Sequence, residues 1–349
     1  MMDKTKSEDK KVSVVILNWN GKSLLEKFLP VALANTPDDM AEIVVADNAS
    51  SDDSLDFLRA NYPDVRLIVM PENYGFAEGY NRVMDYVSAP YIVLLNSDVE
   101  VSPGWLDEPV SILDTEPDVA AVQPRILSYN DRSRFEYAGA AGGWIDCYGY
   151  PFCRGRVLDC VEEDKGQYSE ATDIFWASGA CCIMRRSSFV EAGGFDKTFF
   201  AHQEEIDLCW RLRSRGQRFR YAPTSTVYHI GAATLRVESP RKTFLNFRNN
   251  LLMIYKNLPD RRLRYVMWCR FLLDNLALVH FLLTCKFANA KAVFRARMAF
   301  HKLKTSYRET RRKNIAMTVV DPIPEMLQRN MLLSYYLKGQ KTFTQLISV

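Results

Sequence analysis

The sequence predicts an α/β fold: a mainly parallel sheet of alternating strands and helices, continued by a basic helical extension. Three observations carry this expectation. Short continuous runs rich in valine, isoleucine and leucine alternate with helical stretches through residue 98. Polar clusters follow the ends of those runs, and charge divides sharply along the chain. At 349 residues the chain is long enough to bury one large core or two modest ones.

Residues 12–17 (VSVVIL) make the first run, continuous rather than alternating, as expected for a strand covered on both faces. Gly21 and Ser23 lead into a helical stretch reaching about residue 34. A second run, 42–46 (EIVVA), ends at Asp47; residues 55–60 are helical, and a third run, 65–70, stops at Pro71. Residues 75–87 are helical again, and 91–95 form a fourth strand running into Asn96-Ser97-Asp98. Such alternation implies right-handed β-α-β crossovers, and ligands of such sheets collect beyond the C-terminal strand ends. Residues 18–20, Asp47 and 96–98 fall at those ends, so three polar clusters are expected along one edge.

From about 119 to 240 the pattern is mixed. An apolar run at 119–123 precedes a loop rich in glycine and aromatics at 139–155, and another run follows at 174–185. Gly193-Gly194-Phe195-Asp196 reads as a turn, and residues 203–215 have helical spacing ended by Gly216. The sequence has no internal repeat and no low-complexity tract.

Residues 241–315 are helical in character, with Phe244, Phe247, Leu251, Ile254 and Tyr255 on one face. Residues 1–240 hold 24 basic and 37 acidic side chains, net −13; residues 241–349 hold 21 and 5, net +16. An acidic body with a basic tail points to an anionic partner for the tail, and no nucleic acid is expected. The apolar stretch 266–288 contains Arg270, Asp274 and His280, which argues against a membrane span. Arg261, Arg262 and Arg264 precede it, and Lys286 to Lys313 follow. Amphipathic helices on an anionic membrane surface are therefore expected, with packing on the body or on another subunit as the alternative. Residues 1–11 are polar with no apolar leader after them, so the chain is expected to be cytoplasmic, peripheral on the inner membrane face. The eight cysteines, none in Cys-x-x-Cys spacing, read as buried free thiols rather than disulfides or a zinc site.

Several polar residues can carry chemistry. A departing diphosphate gathers negative charge, which a divalent metal on a strand-end carboxylate can neutralise. Asp98 follows four apolar residues, so its strand aims it into the cleft; such an aspartate can equally cap a turn. Asp47 can accept the imide N–H of uracil or thymine, or cap the helix that follows. Glu204, Glu205 and Asp207 open a helix, where the dipole favours carboxylate ionisation. A base there needs a desolvated pocket to raise its pKa. Plain N-terminal acidity, with Asp207 paired to Arg211, is the other reading. His229 can ligate a metal, touch a diphosphate or be structural.

Taken together and in this order, these residues resemble a family-2 glycosyltransferase with the GT-A fold, over about residues 11–235. Residues 12–21 (VSVVILNWNG) are similar to the family's opening strand and nucleotide loop. Residues 44–51 (VVADNASS) resemble its second strand, with Asp47 at the base-binding position. Residues 73–81 (NYGFAEGYN) look like the segment beside the nucleotide and sugar in a rhamnosyltransferase-like branch, and Asn96-Ser97-Asp98 occupies the DxD position. Residues 178–185 and 193–200 (GGFDKTFF) resemble the acceptor-side segment; 204–211 (EEIDLCWR) looks like E-D-x-D-L-x-x-R, and His229 falls at the family's histidine. Two departures matter. Asn96 replaces the first aspartate of DxD, leaving Asp98 as the main carboxylate ligand, and Glu205 stands where the base is usually Asp.

The resemblance implies a Rossmann-like mixed sheet and inverting transfer from a nucleotide-diphosphate sugar. Glu205 would be the base with Glu204 beside it, while Asp98 and His229 would hold Mg²⁺ or Mn²⁺. Asn18, Trp19, Asn20, Asp47, Asn73, Gly75, Asn81, Asn96 and Ser97 would line the donor. Trp176 and Gly179 would lie on the acceptor side, where Trp176 and the loop around Trp144 either stack on sugar or pack in the core. The 73–81 segment points to dTDP-rhamnose, with UDP-hexoses next, and to a lipid-linked glycan acceptor in cell-surface polysaccharide assembly. The expected layout is a catalytic domain at 1–240, divided near residue 100, and an extension at 241–349; an oligomer is open. A dinucleotide oxidoreductase is disfavoured because Asn18-Trp19-Asn20-Gly21, not G-x-G-x-x-G, follows the first strand. A sugar nucleotidyltransferase would want a basic, glycine-rich loop where only Lys22 is found, and a membrane-bound scaffold without catalysis is the remaining rival.

Overall fold

The computed structural model describes residues 10–231 and 239–348. The expectation about the polar N-terminus therefore falls, up to residue 9, outside the described residues. The expected alternation is present: β1 (Val12–Asn18), α1 (Lys22–Asn35), β2 (Ala41–Asp47), α2 (Ser54–Asn61), β3 (Arg66–Val69), α3 (Gly75–Val83) and β4 (Tyr91–Asn96). β1 lies between β2 and β4, parallel to both, and β3 pairs in parallel with β2. Val12, Val14 and Val15 have no exposed surface, the burial on both faces that a continuous apolar run implies.

Beyond β4 the sheet becomes mixed. β5 (Val99–Val101), α4 (Asp107–Thr115) and β6 (Val119–Ser128) follow. A small set of strands comes next: β7 (Gly143–Asp146), β8 (Pro151–Cys153), β9 (Arg156–Val157) and β10 (Cys160–Val161). The chain then returns through β11 (Thr172–Asp173), β12 (Cys181–Arg185), α5 (Arg186–Glu191), α6 (Glu204–Ser214) and β13 (Arg218–His229). The main sheet runs β11-β13-β6-β12-β4-β1-β2-β3, with β5 paired to β13. β12 is antiparallel to β4 and β6, whereas β13 is parallel to β6 and antiparallel to β5.

The stretch at 139–155, expected to be a loop, instead supplies a second sheet. Its order is β10-β9-β8-β7-β14, where β14 (Met326–Leu327) comes from the C-terminal region. Those strands have two to four residues, too few for a period of two to register in sequence.

The tail folds as α7 (Pro240–Asn257), α8 (Asp260–Leu283), α9 (Phe287–Lys304) and α10 (Arg308–Ala316), with α11 (Met331–Lys338) and α12 (Phe343–Ile347) beyond the expected helical stretch. Ser239 starts α7 by accepting a hydrogen bond from the Lys242 N–H, with Pro240 in the first turn. Residues 249–258 are buried on every side, so this helix lies inside the protein rather than on it.

Candidate active site

At the ends of β1 and β2 the polar side chains bind one another. Asn18, fully buried, donates its amide to Asp47 Oδ2 (3.0 Å) and Ser50 Oγ (3.2 Å). Asp47 Oδ1 accepts the Ser50 N–H at 2.9 Å. Because Asp47 accepts, the amide of Asn18 is fixed with its nitrogen inward and its oxygen outward. That oxygen is buried and has no protein partner. It faces Gly21, where a Cβ would stand 2.4 Å away, so only glycine leaves the space open. Asn20, at φ +52°, accepts the Ser51 N–H (2.7 Å) and the Asp52 N–H (3.3 Å), which shapes the loop after β2. Trp19 is 45% exposed at this edge.

β13 brings His229 beside Asp98, 131 residues away in sequence, because His229 is in register with Val99 of β5. His229 Nε2 lies 3.1 Å from Asp98 Oδ1. Glu136 Oε2 lies 3.2 Å from Nδ1, off the line of a hydrogen bond but close enough for an ionic contact. All three side chains are buried. Burial opposes charge on the ring, but Asp98 and Glu136 outweigh it and raise the histidine pKa to about 10. The donor set fits a divalent cation. A carboxylate behind one ring nitrogen and a second carboxylate at the other is the arrangement that orients metal-ligating histidines. A cation on Nε2 and Asp98 would take the place of the ring proton. Among the described residues no three such side chains converge to hold a metal by themselves.

The entry to α6 is strained. Phe200, His202 and Gln203 have φ of +64°, +70° and +73°, a region that side chains other than glycine rarely adopt. Two elements hold it. The Phe76 and Ala77 N–H groups of α3 donate to the Phe200 carbonyl (2.8 and 3.2 Å). From α7, Asn249 donates to the carbonyls of Phe199, Ala201 and His202, and Arg248 to Thr198 and Phe199. Gly75 makes this close approach possible, since a Cβ there would stand 2.6 Å from the Phe200 ring.

This strained segment delivers Glu204 and Glu205. Glu204 is buried and Glu205 half-buried, and in each the Oε2 atom is buried without a protein partner. Glu205 lines a small apolar pocket with Leu94, Ala177, Gly179, Cys182 and Phe195, behind the strand that ends at Asn96. Burial pushes Glu205 up to about 7 against the opposing N–H groups of the helix start. Burial, then the charges of Glu205 and Asp207, push Glu204 well above the carboxylate range. Asp207 is fully buried and bound by Arg211 (3.0 Å), Lys256 (2.8 Å) and Asn257 (2.9 Å), so it is structural.

The structure places the other expected site residues as follows. Asp47 is fully buried and orients Asn18. Asn81 commits both ends of its amide to the Phe195 backbone (2.8 and 2.9 Å), joining α3 to the 193–195 turn. Asn73 accepts from the Gly75 N–H and the Asn48 amide, a local brace. Of the two readings of Trp176, the packing one matches its surroundings: it is 3% exposed, donates to the Trp144 carbonyl and covers Gly143, where a Cβ would be 2.1 Å from the indole. Gly179 lets the Phe76 ring pack, since a Cβ would meet it at 2.9 Å. Asn96 and Ser97 are half-buried at the cleft edge. Sequence reasoning missed Glu136, Asn48, Asn249 and His202. The His202 ring, unpartnered at Nε2, is pushed down to about 4 by burial and the Lys242 charge.

Comparison with known proteins identifies the family and the fold. The sequence model of glycosyl transferase family 2 matches residues 13–193, just over half of the chain, and stops before α6. An N-acetylglucosaminyl-diphospho-decaprenol L-rhamnosyltransferase of Mycobacterium tuberculosis is 27% identical over 231 residues, 62% of this chain and 75% of that protein. The low-salt glycan biosynthesis hexosyltransferase Agl10 of Haloferax volcanii is 22% identical over 246 residues, 69% of this chain and 74% of that one. Among solved structures, GalNAc-T7 with UDP, GalNAc and Mn²⁺ has a TM-score of 0.57 at 18% identity, covering 72% of this chain and 48% of its own. The mannosyltransferase PcManGT of Pyrobaculum calidifontis with GDP-Man and Mn²⁺ has 0.51 at 16%, covering 91% and 88%. These structures share the GT-A fold with the present one. On that fold and that match, the chain belongs to glycosyl transferase family 2 and is a glycosyltransferase.

Proposed function

We propose that the enzyme transfers a sugar, with inversion, from a nucleotide-diphosphate donor to a hydroxyl of a lipid-linked glycan at the cytoplasmic face of a membrane. One observation carries the reading. A half-buried glutamate with a pKa near 7 and an unpartnered oxygen stands behind the strand that leads to Asp98. Such a carboxylate is poised to take a proton from an acceptor hydroxyl at neutral pH. Glu205 is the base because it is half-buried and lines the pocket beside Gly179, whereas Glu204 is buried and does not line it.

Asn18 Oδ1 is the acceptor for an imide N–H of a pyrimidine base, in place of Asp47, and Trp19 covers that base. Asp98 and His229 would hold Mg²⁺ or Mn²⁺, which when bound neutralises charge on the diphosphate. The Mn²⁺ of the two fold relatives supports this. The donor is dTDP-rhamnose, a reading supported by the 73–81 segment and by the mycobacterial relative, whose name also joins GlcNAc to a polyprenyl diphosphate.

The test offers dTDP-rhamnose and UDP-hexoses, with polyprenyl-diphospho-GlcNAc and Mg²⁺ or Mn²⁺, and follows nucleoside diphosphate release. Proton NMR of the product reports the anomeric configuration. Transfer with inversion, lost in Glu205→Gln and Asp98→Ala, supports the reading; full turnover in either variant removes it.

A further inference from the structure

Helix α8 is built inside out. Its body-facing side holds Arg270 and Asp274, both almost fully buried. Arg270 lies over the Tyr150 ring at 4.1 Å and bonds Asp274, Asn250 and the Tyr148 carbonyl. Its outer side is apolar: Tyr265, Trp268, Leu272, Leu276, Val279 and Leu283 follow each other at helical spacing, and all are exposed. Trp268 is 60%, Leu276 64% and Leu283 80% exposed. Phe287, Phe294 and Met298 leave further exposed apolar surface on α9, which packs against α8. Single exposed apolar side chains are ordinary, whereas a contiguous stripe along a whole helix marks an interaction surface.

Charge identifies the partner. Residues 261–308 contain 11 basic residues and one acidic residue, Asp274, which is buried in ion pairs with Arg270 and Arg297. Apart from Asp274, α8 and α9 bring no carboxylate between those positions; Asp321, from farther along the chain, pairs with Arg261 and Arg262 at the start of α8 and leaves the other exposed cations unopposed by it. Exposed Arg264 is one helical turn from Trp268, Lys291 lies between Phe287 and Phe294, and Lys302 is one turn beyond Met298. Apolar side chains framed by lysine and arginine match a surface with acyl chains below and anionic headgroups above. A second copy of the chain would set one basic surface against another. The length and composition of α8 would also suffice to cross a bilayer. Crossing would strip Arg270 and Asp274 of their partners in the body, so the helix lies in the interface plane.

We infer that the outer face of α8, with the adjoining part of α9, is the docking surface for an anionic lipid bilayer. It deepens the membrane-located reading given above, but does not depend on the donor chemistry. The test floats the full-length chain with vesicles of phosphatidylcholine, with and without phosphatidylglycerol. The native chain is expected to float with the anionic vesicles and to be released by high salt. In Leu276→Glu/Leu283→Glu the affinity should fall by about tenfold or more, since two side chains no longer enter the apolar phase. Bromine-labelled acyl chains should quench native fluorescence, and Trp268→Phe should remove most of that quenching. An unchanged melting temperature and retained donor hydrolysis in the variants show a folded enzyme and separate a docking failure from a failure of the transferase reading. Equal vesicle binding by the double variant overturns the inference. So does a native chain that ignores vesicles, including one that instead dimerises in solution until the two leucines are changed.

Discussion

The amide nitrogen of Asn249 stands 2.7 Å from the carbonyl oxygen of His202, and it also reaches the carbonyls of Phe199 and Ala201 at 3.0 Å. One buried amide from α7 thus spans three backbone acceptors in a strained turn. Replacing it with alanine leaves the Ala201 and His202 carbonyls short of a donor, at about 1–3 kcal/mol, while Phe199 keeps Arg248 and the Ala201 N–H, with Glu205 attached to the segment that relaxes. Because a shift of about 1 Å in a catalytic group can lower turnover about a hundredfold, Asn249→Ala is expected to lower kcat by about 10- to 100-fold with little change in donor KM. Asn249→Asp should be no better, since a carboxylate has no N–H to give. Water admitted by the loosened turn should also move the acid limb of the pH–rate profile downward, a change that simple loss of folded protein would not cause.

The state of Glu205 sets the pH dependence. As the base it must be ionised, so kcat should rise with pH through a midpoint near 7. Stability should run the other way. A carboxyl whose pKa is raised by folding binds its proton more tightly in the folded state. Stability is then lost as pH climbs from the ordinary glutamate range towards 7. Glu205→Gln carries no charge, so it is expected to abolish turnover, raise the melting temperature at pH about 8 and leave it nearly unchanged at pH about 5. A variant that melts lower at the higher pH would contradict the assignment.

Much of the sheet can be read from sequence because β1, β2 and β4 are six- or seven-residue strands with apolar runs rich in valine, isoleucine and leucine. The second sheet cannot, since its pairing depends on β14, far away in the chain. The site divides similarly. Asp98 and Glu205 are visible because each sits at the end of a regular element. His229 needs the β13–β5 register to reach Asp98, and Glu136 sits in a connecting segment with no local pattern at all. One signal for α7 is present: Asn249-Asn250, two poor helix formers directly before the apolar run 251–255, as expected where side chains bind backbone elsewhere. Burial also explains what the sequence leaves open. Asp47, Asn81 and Trp176 are types common in binding sites, but their partners lie in segments that the sequence alone does not bring together.

The Asp98–His229 pair offers a cation few protein ligands, so Mn²⁺ should bind weakly alone and more tightly when a nucleoside diphosphate adds its oxygens. Titration followed by electron paramagnetic resonance, with and without dTDP or UDP, measures this. Asp98→Ala should abolish the ternary complex. Glu136→Gln should weaken it, because the buried ring loses the carboxylate that makes its ionic contact at Nδ1. Wild-type affinity in Glu136→Gln would show that Glu136 serves packing alone.

Trp176 gives a prediction that separates core from acceptor site. Trp176→Ala should cost about 3–5 kcal/mol of stability by leaving a cavity over Gly143. Trp176→Phe keeps most of the volume and loses only the bond to the Trp144 carbonyl. Its acceptor KM should equal that of the wild type in initial-rate measurements; a large rise would return the indole to the acceptor site.

Lys256 tests whether the tail begins outside the catalytic body. From α7 its ammonium binds Asp196 at 2.7 Å and Asp207 at 2.8 Å, with only 2% of its side chain exposed. Lys256→Met fits the same space but leaves Asp196 without its counter-charge and Asp207 with Arg211 alone, a loss of about 3–5 kcal/mol for a buried pair. Asp196 is raised by burial but held below its ordinary range by the Lys256 charge and its hydrogen bonds. That contribution is present at neutral pH and fades as pH falls into the range where Asp196 protonates. The difference in denaturant midpoint between wild type and Lys256→Met should therefore be largest near neutrality and shrink in acid. Ending the chain at residue 240 removes Lys256, Asn257, Asn249 and Arg248 together, so that fragment is expected not to fold. A soluble, cooperatively melting fragment would show instead that the body is complete without α7.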